Sequence, residues 1–195
     1  MPTEKRIERL KTVLMHRQLD LTVVCENIHD PHNVSAILRS CDAAGVQNVH
    51  LLYTEEQFPK LGKKSSASAK KWLNFHKHRS YTELKESLHR QNMQILATAV
   101  RPDAENIYDI DFTLPTAIVV GNEHRGVSDE MLEIADKHIY IPMQGIVESL
   151  NVSVATAVIL FEAVRQRREK KKYPSRNDND TWLLHQLDAW LEVKK

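Results

Sequence analysis

Three polar loops of this 195-residue chain contain residue types that bind ligands and stabilise charge. The first is DPHNVSAILR, in which Asn33 and Arg39 are the candidates. An asparagine side chain donates and accepts hydrogen bonds, and an arginine binds carboxylates or phosphates through its planar fork. Because Arg39 interrupts a run of apolar and small residues, it needs an anionic partner. That partner is either an internal carboxylate or a bound phosphate.

The residues before Asn33 predict how this segment folds. Asp30 is a suitable N-cap, and Pro31 is a suitable first residue of a helix. Asn33 then lies in the first turn and Arg39 two turns further along. At 3.6 residues per turn, that spacing does not put both side chains on one helix face. A site that uses both therefore needs Asn33 at a fraying helix end, or a second subunit.

The second loop is GNEHRG, which follows the apolar run TAIVV. It lacks the G-x-G-x-x-G fingerprint of dinucleotide sites and the G-K-[ST] ending of phosphate loops, which argues against NAD and ATP. Gly121 and Gly126 flank Glu123 and allow a tight turn whose backbone approaches a flat ligand. The alternative is a plain strand-to-helix turn, in which Glu123 and Asp129 interact favourably with the helix dipole.

The third loop opens the segment IPMQGIVESLNVSVATAVILFE. We predict a buried helix after Leu150, because the residues that follow are apolar nearly all round. Ser149 is the predicted N-cap, which leaves Asn151 as a buried polar group that needs a partner. A ligand can be that partner, and a capped core helix is the alternative. The loop also supplies apolar walls that suit an adenine-containing ligand: Ile141, Met143, Ile146 and Leu150.

The elements around these loops alternate between strands and helices, which predicts an α/β domain with a mostly parallel sheet and helices on both faces. Apolar, β-branched runs predict strands at residues 21–26, 49–53, 94–100, 116–121 and 138–142. Helical spacing predicts helices at residues 4–17, between Pro31 and Gly45, and at 81–91, 128–136, 151–170 and 181–191. Each of the three loops follows a strand, where sites lie in such sheets.

Composition indicates an ordinary globular domain, with 42% hydrophobic and 27% charged residues. No apolar run approaches the roughly 20 residues of a membrane span. The charged N-terminus has no apolar signal-peptide region. The only two cysteines, Cys25 and Cys41, fall in a predicted strand and a predicted helix, which favours a reducing compartment. We therefore expect a cytoplasmic protein that does not bind membranes.

Charge is distributed unevenly, although the net charge is only +1. Basic residues cluster at 5–11, 63–71, 77–79 and 165–172, and such patches attract nucleic acid. The alternative for each cluster is a solvated surface. His29 and His32 have the spacing of metal ligands without a third ligand nearby, so we expect no metal.

Taken together, the three segments resemble the SpoU/TrmH branch of the SPOUT methyltransferases. The segment NVSAILR, from Asn33 to Arg39, resembles the first motif of this family. The second is similar to IVVGNEHRG, which ends at Gly126, and the third to IPMQGIVESLNVSVA, which ends at Ala155. Their order and spacing fit the family, and the similarity runs from about residue 18 to residue 170.

The resemblance implies a homodimer with a C-terminal trefoil knot in residues 18–171, between helical extensions at 1–17 and 172–195. It implies that Arg39 is catalytic, with Asn33 and Asn151 as polar support. It implies a pocket for S-adenosylmethionine formed by Thr98, Ala99, Val100, Gly121, Glu123, Gly126, Ile141, Met143, Ser149 and Leu150. The residues expected to bind RNA are Arg9, Lys11, His32, Arg165, Arg167, Arg168 and Lys171.

The implied activity is 2′-O-methylation of a ribose in tRNA. Terminal extensions favour the D-loop guanosine at tRNA position 18 over the wobble nucleotide or ribosomal RNA. Glu148 is a departure, because a glutamine is expected there in tRNA guanosine enzymes. A non-catalytic RNA-binding protein on the same scaffold is an alternative of another class, and a nucleotide-dependent oxidoreductase lacks its glycine fingerprint.

The chemistry of this reaction assigns a role to Arg39. A ribose 2′-hydroxyl is a weak nucleophile that must lose a proton as it attacks the sulfonium methyl. Because a guanidinium is a poor base at neutral pH, Arg39 is expected to bind an RNA phosphate and stabilise the developing alkoxide. Either a phosphate oxygen or a transiently neutral arginine accepts the proton.

Overall fold

The apolar, β-branched runs of the sequence form a parallel sheet. The computed structural model describes residues 2–59, 69–172 and 179–193. The strands in these ranges are β1 (Gln18–Glu26), β2 (Val46–Leu52), β3 (Asn74–His78), β4 (Gln94–Thr98), β5 (Glu105–Asn106), β6 (Thr116–Val120) and β7 (Lys137–Tyr140). They pair in the order β3-β2-β1-β6-β4-β7-β5, and all the pairings are parallel.

Helices cover both faces of the sheet, because successive strand side chains point to opposite faces. The helices are α1 (Glu4–Met15), α2 (Pro31–Ala43), α3 (Tyr81–His89), α4 (Asp129–Ile134), α5 (Val152–Glu169) and α6 (Thr181–Glu192). On β1, Val23 and Cys25 join the core cluster of α2 and α5, whereas Val24 joins the cluster of α3 and α4. This arrangement confirms the predicted α/β class, and the trefoil knot stays a prediction from the resemblance.

The helix α2 begins as the sequence predicts. Asp30 is its N-cap and accepts a hydrogen bond from the backbone amide of His32, with Pro31 at the first helical position. Cys25 and Cys41 are buried free thiols. Within the described ranges, no helix is both long enough and apolar enough to cross a bilayer.

The two terminal helices pack against each other and form a separate apolar cluster. Leu14 of α1 lies against Leu183, Leu187 and Trp190 of α6. The Arg6 guanidinium donates to the carbonyl of Val193 at 2.8 Å, which ties the ends of the two helices together. Trp190 meets the main domain through an edge contact with Trp72, at 5.0 Å between ring centroids. Whether domain boundaries fall at residues 17 and 172 stays a prediction.

Some elements differ from the predictions. The strand β3 was not predicted, because the sequence NFHKH of an edge strand contains no apolar run. The short strand β5 lies between the predicted strands at 94–100 and 116–121, where no element was predicted, and a 3-10 helix follows it at Ile107–Asp109. After the predicted strand at 49–53, where no element was predicted before residue 81, a 3-10 helix forms at Ala69–Lys71, and residues 60–68 lie outside the described ranges.

The predicted burial of α5 on all sides is wrong. One face packs against α2 and the sheet through residues such as Ile159, Leu160 and Ala163. The opposite face leaves Val154 and Phe161 exposed, at 48% and 52% of their surface. Apolar residues on both faces give this helix no single apolar stripe, which is why the sequence favoured complete burial.

Candidate active site

The second and third predicted loops meet in one cavity of about 670 Å³ at the carboxyl ends of β4, β6 and β7. This is the edge of a parallel sheet where ligands bind. The volume is in the range of small-molecule sites. All ten residues predicted to bind the cofactor line it: Thr98, Ala99, Val100, Gly121, Glu123, Gly126, Ile141, Met143, Ser149 and Leu150.

One wall of the cavity is the turn of residues 121–126. The amide of Gly126 donates to the carbonyl of Asn122 at 2.8 Å and closes the turn. A Cβ at Gly121 would lie 2.2 Å from the carbonyl of Gly126, so only glycine fits there. Gly126 has φ +74°, which also favours glycine. The glycines are therefore required by the turn itself, as the spacing predicted.

Glu123 fixes this turn to α2. Its carboxylate accepts hydrogen bonds from the backbone amides of His29 and Asp30, at 2.8 and 3.0 Å, and from the Asn33 side chain at 2.8 Å. The alternative in which Glu123 interacts with the helix after its own loop is therefore wrong, because the carboxylate lies at the N-terminus of α2. Partial burial opposes ionisation, but these hydrogen bonds together lower the pKa of Glu123 below its ordinary value.

Asn33 and Asn151 meet at the cavity, with the Asn151 side-chain amide donating to the Asn33 oxygen at 3.1 Å. The predicted N-cap at Ser149 is wrong. Asn151 is the N-cap of α5, and its oxygen accepts from the amide and hydroxyl of Ser153, at 2.9 and 2.6 Å. The prediction that Asn151 is buried is also wrong, since the residue is exposed, and a contact between Asn151 and a ligand stays a prediction.

Arg39 does not join this network within one chain. It lies two turns beyond Asn33 on α2, its residue is exposed, and it does not line the cavity. In the part of the chain that the structure describes, no carboxylate pairs with Arg39. The alternative in which Arg39 forms an internal salt bridge is therefore wrong. His32 is also exposed near the start of α2, where its side chain is accessible to a ligand.

Arg167 is the clearest correction among the residues predicted to bind RNA. It is 1% exposed and donates to Gln18, to Asp20 and to the carbonyls of Phe112 and Leu114, at 2.6–3.2 Å. It therefore joins α5 to β1 and to the segment before β6. A buried guanidinium with this many partners is structural.

The other predicted RNA-binding residues differ in their surroundings. Arg165 is half exposed, and the hydrogen bonds that it donates to Glu162 and Glu169 raise its pKa. These two carboxylates offset its charge. Arg9, Arg168 and Lys171 are exposed, and Lys11 is half-buried on α1.

Some residues at the site were not predicted. Asn122 accepts hydrogen bonds from the amides of His124 and Arg125 and donates to the carbonyl of Asn27 at 2.8 Å. Asn27 has φ +47°, and its side-chain oxygen accepts hydrogen bonds from the three successive backbone amides of residues 54–56. The asparagine that follows β1 was the available signal, because asparagine tolerates positive φ and favours such turns.

The cavity combines apolar walls with free backbone groups. Ile139, Ile141 and Leu150 line it beside Asn151 and Glu148. Among the described residues, no backbone hydrogen bond involves residues 142–150, so these amides and carbonyls are available to a ligand. Apolar walls with a few directed polar groups suit a flat heteroaromatic ligand with a polar tail. The residues present therefore fit S-adenosylmethionine.

Comparison with known proteins agrees with this geometry. The chain matches the SpoU rRNA Methylase family over residues 20–161. It is 47% identical over 171 residues to the tRNA (guanosine(18)-2′-O)-methyltransferase of Thermus thermophilus, with 88% of each chain covered. Its fold is similar to the crystal structure of the A. aeolicus TrmH/SpoU tRNA modifying enzyme, with a TM-score of 0.87, 41% identity and 98% of each chain covered.

A more distant structure bears on the cofactor. The SpoU methyltransferase AviRb from Streptomyces viridochromogenes, solved in complex with AdoMet, is 27% identical with a TM-score of 0.69. The match covers 80% of this chain and 61% of that one. The three motifs, the cavity that two of them form and the match over residues 20–161 agree, and the chain belongs to the SpoU rRNA Methylase family.

Proposed function

We propose that this chain transfers a methyl group from S-adenosylmethionine to the ribose 2′-hydroxyl of guanosine 18 in tRNA. The observation that carries the proposal is the single cavity formed by the turn 121–126 and the loop 141–150, with Asn33 and Asn151 hydrogen-bonded at its edge. The Thermus thermophilus relative is named for this activity and matches 88% of the chain. The terminal helices, which the A. aeolicus structure also covers, favour this target over the wobble nucleotide.

The cofactor, when bound, supplies an electrophilic methyl on a sulfonium, so the reaction needs no metal as Lewis acid. In the proposal, the backbone of Thr98–Val100, of the turn 121–126 and of residues 141–150 holds its adenosine and orients it. Glu123, which also lines the cavity, holds the turn to α2. Asn33 and Asn151 give the site a fixed polar edge.

In the proposal Arg39 binds an RNA phosphate and stabilises the charge that develops on the 2′-oxygen. Its exposure and the absence of a carboxylate partner among the described residues leave its guanidinium available for that contact. Arg39 and Asn33 do not lie on the same face of α2, so within one chain Arg39 does not reach the Asn33–Asn151 pair. In the proposal the complete site therefore uses Arg39 of a second copy. We therefore propose a homodimer.

The surface of α5 supports the homodimer. Phe161 is 52% exposed, and Ile146 and Val147, in the loop before the helix, are 100% and 62% exposed. Apolar side chains this exposed are typical of a protein interface. We also place the protein in the cytoplasm, because its buried cysteines are free thiols, as in a reducing compartment.

Nucleoside mass spectrometry of tRNA and ribosomal RNA from a deletion strain tests the proposed target. We expect 2′-O-methylguanosine to disappear from tRNA and ribosomal RNA to be unchanged. Calorimetry with the purified protein tests the cofactor separately, and S-adenosylmethionine should bind in the absence of RNA, without competition from NAD or ATP. A loss confined to ribosomal RNA, or binding of NAD alone, would contradict the proposal.

A further inference from the structure

We infer that Glu26, the last residue of β1, is a positioning residue that sets the conformation of the turn 121–126 and through it the affinity for S-adenosylmethionine. The inference rests on the proposed function. Glu26 does not line the 670 Å³ cavity, so its effect on the cofactor must pass through the turn.

The Glu26 carboxylate is buried, with 1% of the residue exposed, and it accepts hydrogen bonds from two neighbouring elements. The Ser128 amide donates to it at 3.1 Å, and the Ser128 hydroxyl donates to the other oxygen. The Tyr81 hydroxyl of α3 donates to that oxygen at 3.1 Å. Ser128 lies two residues after the turn and is the N-cap of α4, so Glu26 fixes the segment by which the chain leaves the turn.

Asn27, the residue directly after β1, fixes the point where the turn begins. The carbonyl of Asn27 accepts from the Asn122 side chain at 2.8 Å. Two consecutive residues at the end of β1, Glu26 and Asn27, therefore hold both ends of the turn. Its closure by the Gly126 amide and the close approach of Gly121 to Gly126 make the turn move as a unit.

Packing alone does not hold the turn in place, because two cavities adjoin it. These are the 670 Å³ cavity and a second cavity of about 280 Å³. Asn122, Arg125 and Gly126 line both of them, and Glu26 and Ser128 line the second. The turn has space to move away from the cofactor, and the hydrogen bonds of Glu26 oppose that motion.

Glu26→Gln tests the inference, because it keeps the shape of the side chain and removes its charge. The amide cannot accept from both the Ser128 amide and the Ser128 hydroxyl as the carboxylate does. We expect the Kd and KM for S-adenosylmethionine to rise about tenfold, the loss typical of a hydrogen bond to a charged group. The kcat at saturating cofactor and the Kd for tRNA should change less than about threefold.

Two further variants separate positioning from folding. Tyr81→Phe removes a donor to the same carboxylate and the 3.1 Å contact between the Tyr81 and Ser128 hydroxyls, but it leaves both hydrogen bonds from Ser128 to Glu26. It should therefore bind cofactor like the wild type. Ser128→Ala should weaken cofactor binding, and Glu26→Gln combined with Ser128→Ala should be no weaker than the worse single variant, because both act through one contact. All measurements are made well below the lowest melting temperature.

The outcomes distinguish this inference from the proposed function. If the wild type binds cofactor and methylates tRNA while Glu26→Gln binds cofactor like Tyr81→Phe, the inference is wrong and the function is unaffected. If Glu26→Gln weakens cofactor binding, tRNA binding and kcat to the same extent, Glu26 only supports the fold. A wild type that does not bind S-adenosylmethionine overturns both.

Discussion

Arg39 and Asn33 lie on the same helix in contrasting surroundings. Asn33 contacts Glu123 and Asn151 at the cavity, whereas Arg39 is exposed and pairs with no described carboxylate. We predict that Arg39→Ala lowers single-turnover methyl transfer roughly 100-fold or more, the scale of losing a preorganised charge-stabilising donor. Its melting temperature and cofactor affinity should be nearly unchanged.

Arg39→Lys is the control for charge. It should restore little activity, because an ammonium cannot reproduce the planar fork of a guanidinium. An Arg39→Ala protein that melts early but transfers methyl normally at low temperature would contradict the catalytic assignment.

Arg167 and Arg168 are neighbours in sequence with different expected roles. Arg167→Gln removes a buried guanidinium that pairs with Asp20, and it should lower the free energy of unfolding by about 3 kcal/mol or more. Arg168→Gln, at an exposed position, should weaken tRNA binding, flatten its salt dependence and leave stability unchanged. Denaturant titration measures the free energy of unfolding of each variant, and binding assays at several salt concentrations measure its affinity for tRNA. Equal stability of the two variants would refute the structural role of Arg167.

The sequence identified most of the site residues but not their surroundings. Loop composition predicted the tight turn between Gly121 and Gly126 and the apolar walls of the third loop, because glycine, proline and asparagine constrain turns locally. The full set of cavity residues followed from the family resemblance. Burial of Arg167 depends on Asp20 and on carbonyls more than fifty residues away from it, which no local pattern shows. The roles of Glu26 and Asn122 depend on contacts of the same long-range kind.

At the scale of elements, the edge formed by β2 and β3 contains a cluster of histidines. His50 is buried on β2, with Nδ1 2.9 Å from Nε2 of His78 on β3. Its ring stacks on that of His76, at 4.8 Å between centroids. Glu83 of α3 lies 3.6 Å from His78. This cluster takes the place of the apolar pairs that join the central strands.

The cluster predicts a pH dependence of stability. Burial, then the imidazoles of His76 and His78, lower the pKa of His50 from its ordinary 6.5 to about 3. Between these values the unfolded chain binds a proton that the folded protein excludes, so the free energy of unfolding falls as pH falls from 6.5 towards 3. One proton contributes about 1.4 kcal/mol per pH unit.

His50→Gln should reduce that slope by about one proton in denaturant titrations at a series of pH values, and His185→Gln, an exposed histidine of α6, is the matched control. A slope unchanged by His50→Gln would refute this account.

The strand β3 was not predicted from the sequence, because its residues are mostly polar. Its histidines and lysine form an edge strand through pairing with β2 and not through an apolar pattern.

At the scale of the whole molecule, the exposed apolar face of α5 and the isolation of Arg39 both favour a homodimer. Phe161→Asp should yield a monomer that methylates tRNA at least tenfold more slowly, because Arg39 of the second copy is lost. Light scattering reports the oligomeric state of the same samples. A wild-type monomer with full activity would rule out the shared site. The fold class followed from strand and helix alternation, but an interface between copies leaves no periodic signal of its own.

Methylation of one ribose in tRNA can be tested directly with the purified protein. The protein is incubated with labelled S-adenosylmethionine and an unmodified tRNA transcript, and the labelled nucleotide is mapped by mass spectrometry of nuclease fragments. We predict label on the 2′-oxygen of guanosine 18, none in a transcript with 2′-deoxyguanosine at that position, and none with Arg39→Ala at matched times. Label at the wobble nucleotide, or in ribosomal RNA and not in tRNA, would contradict the account.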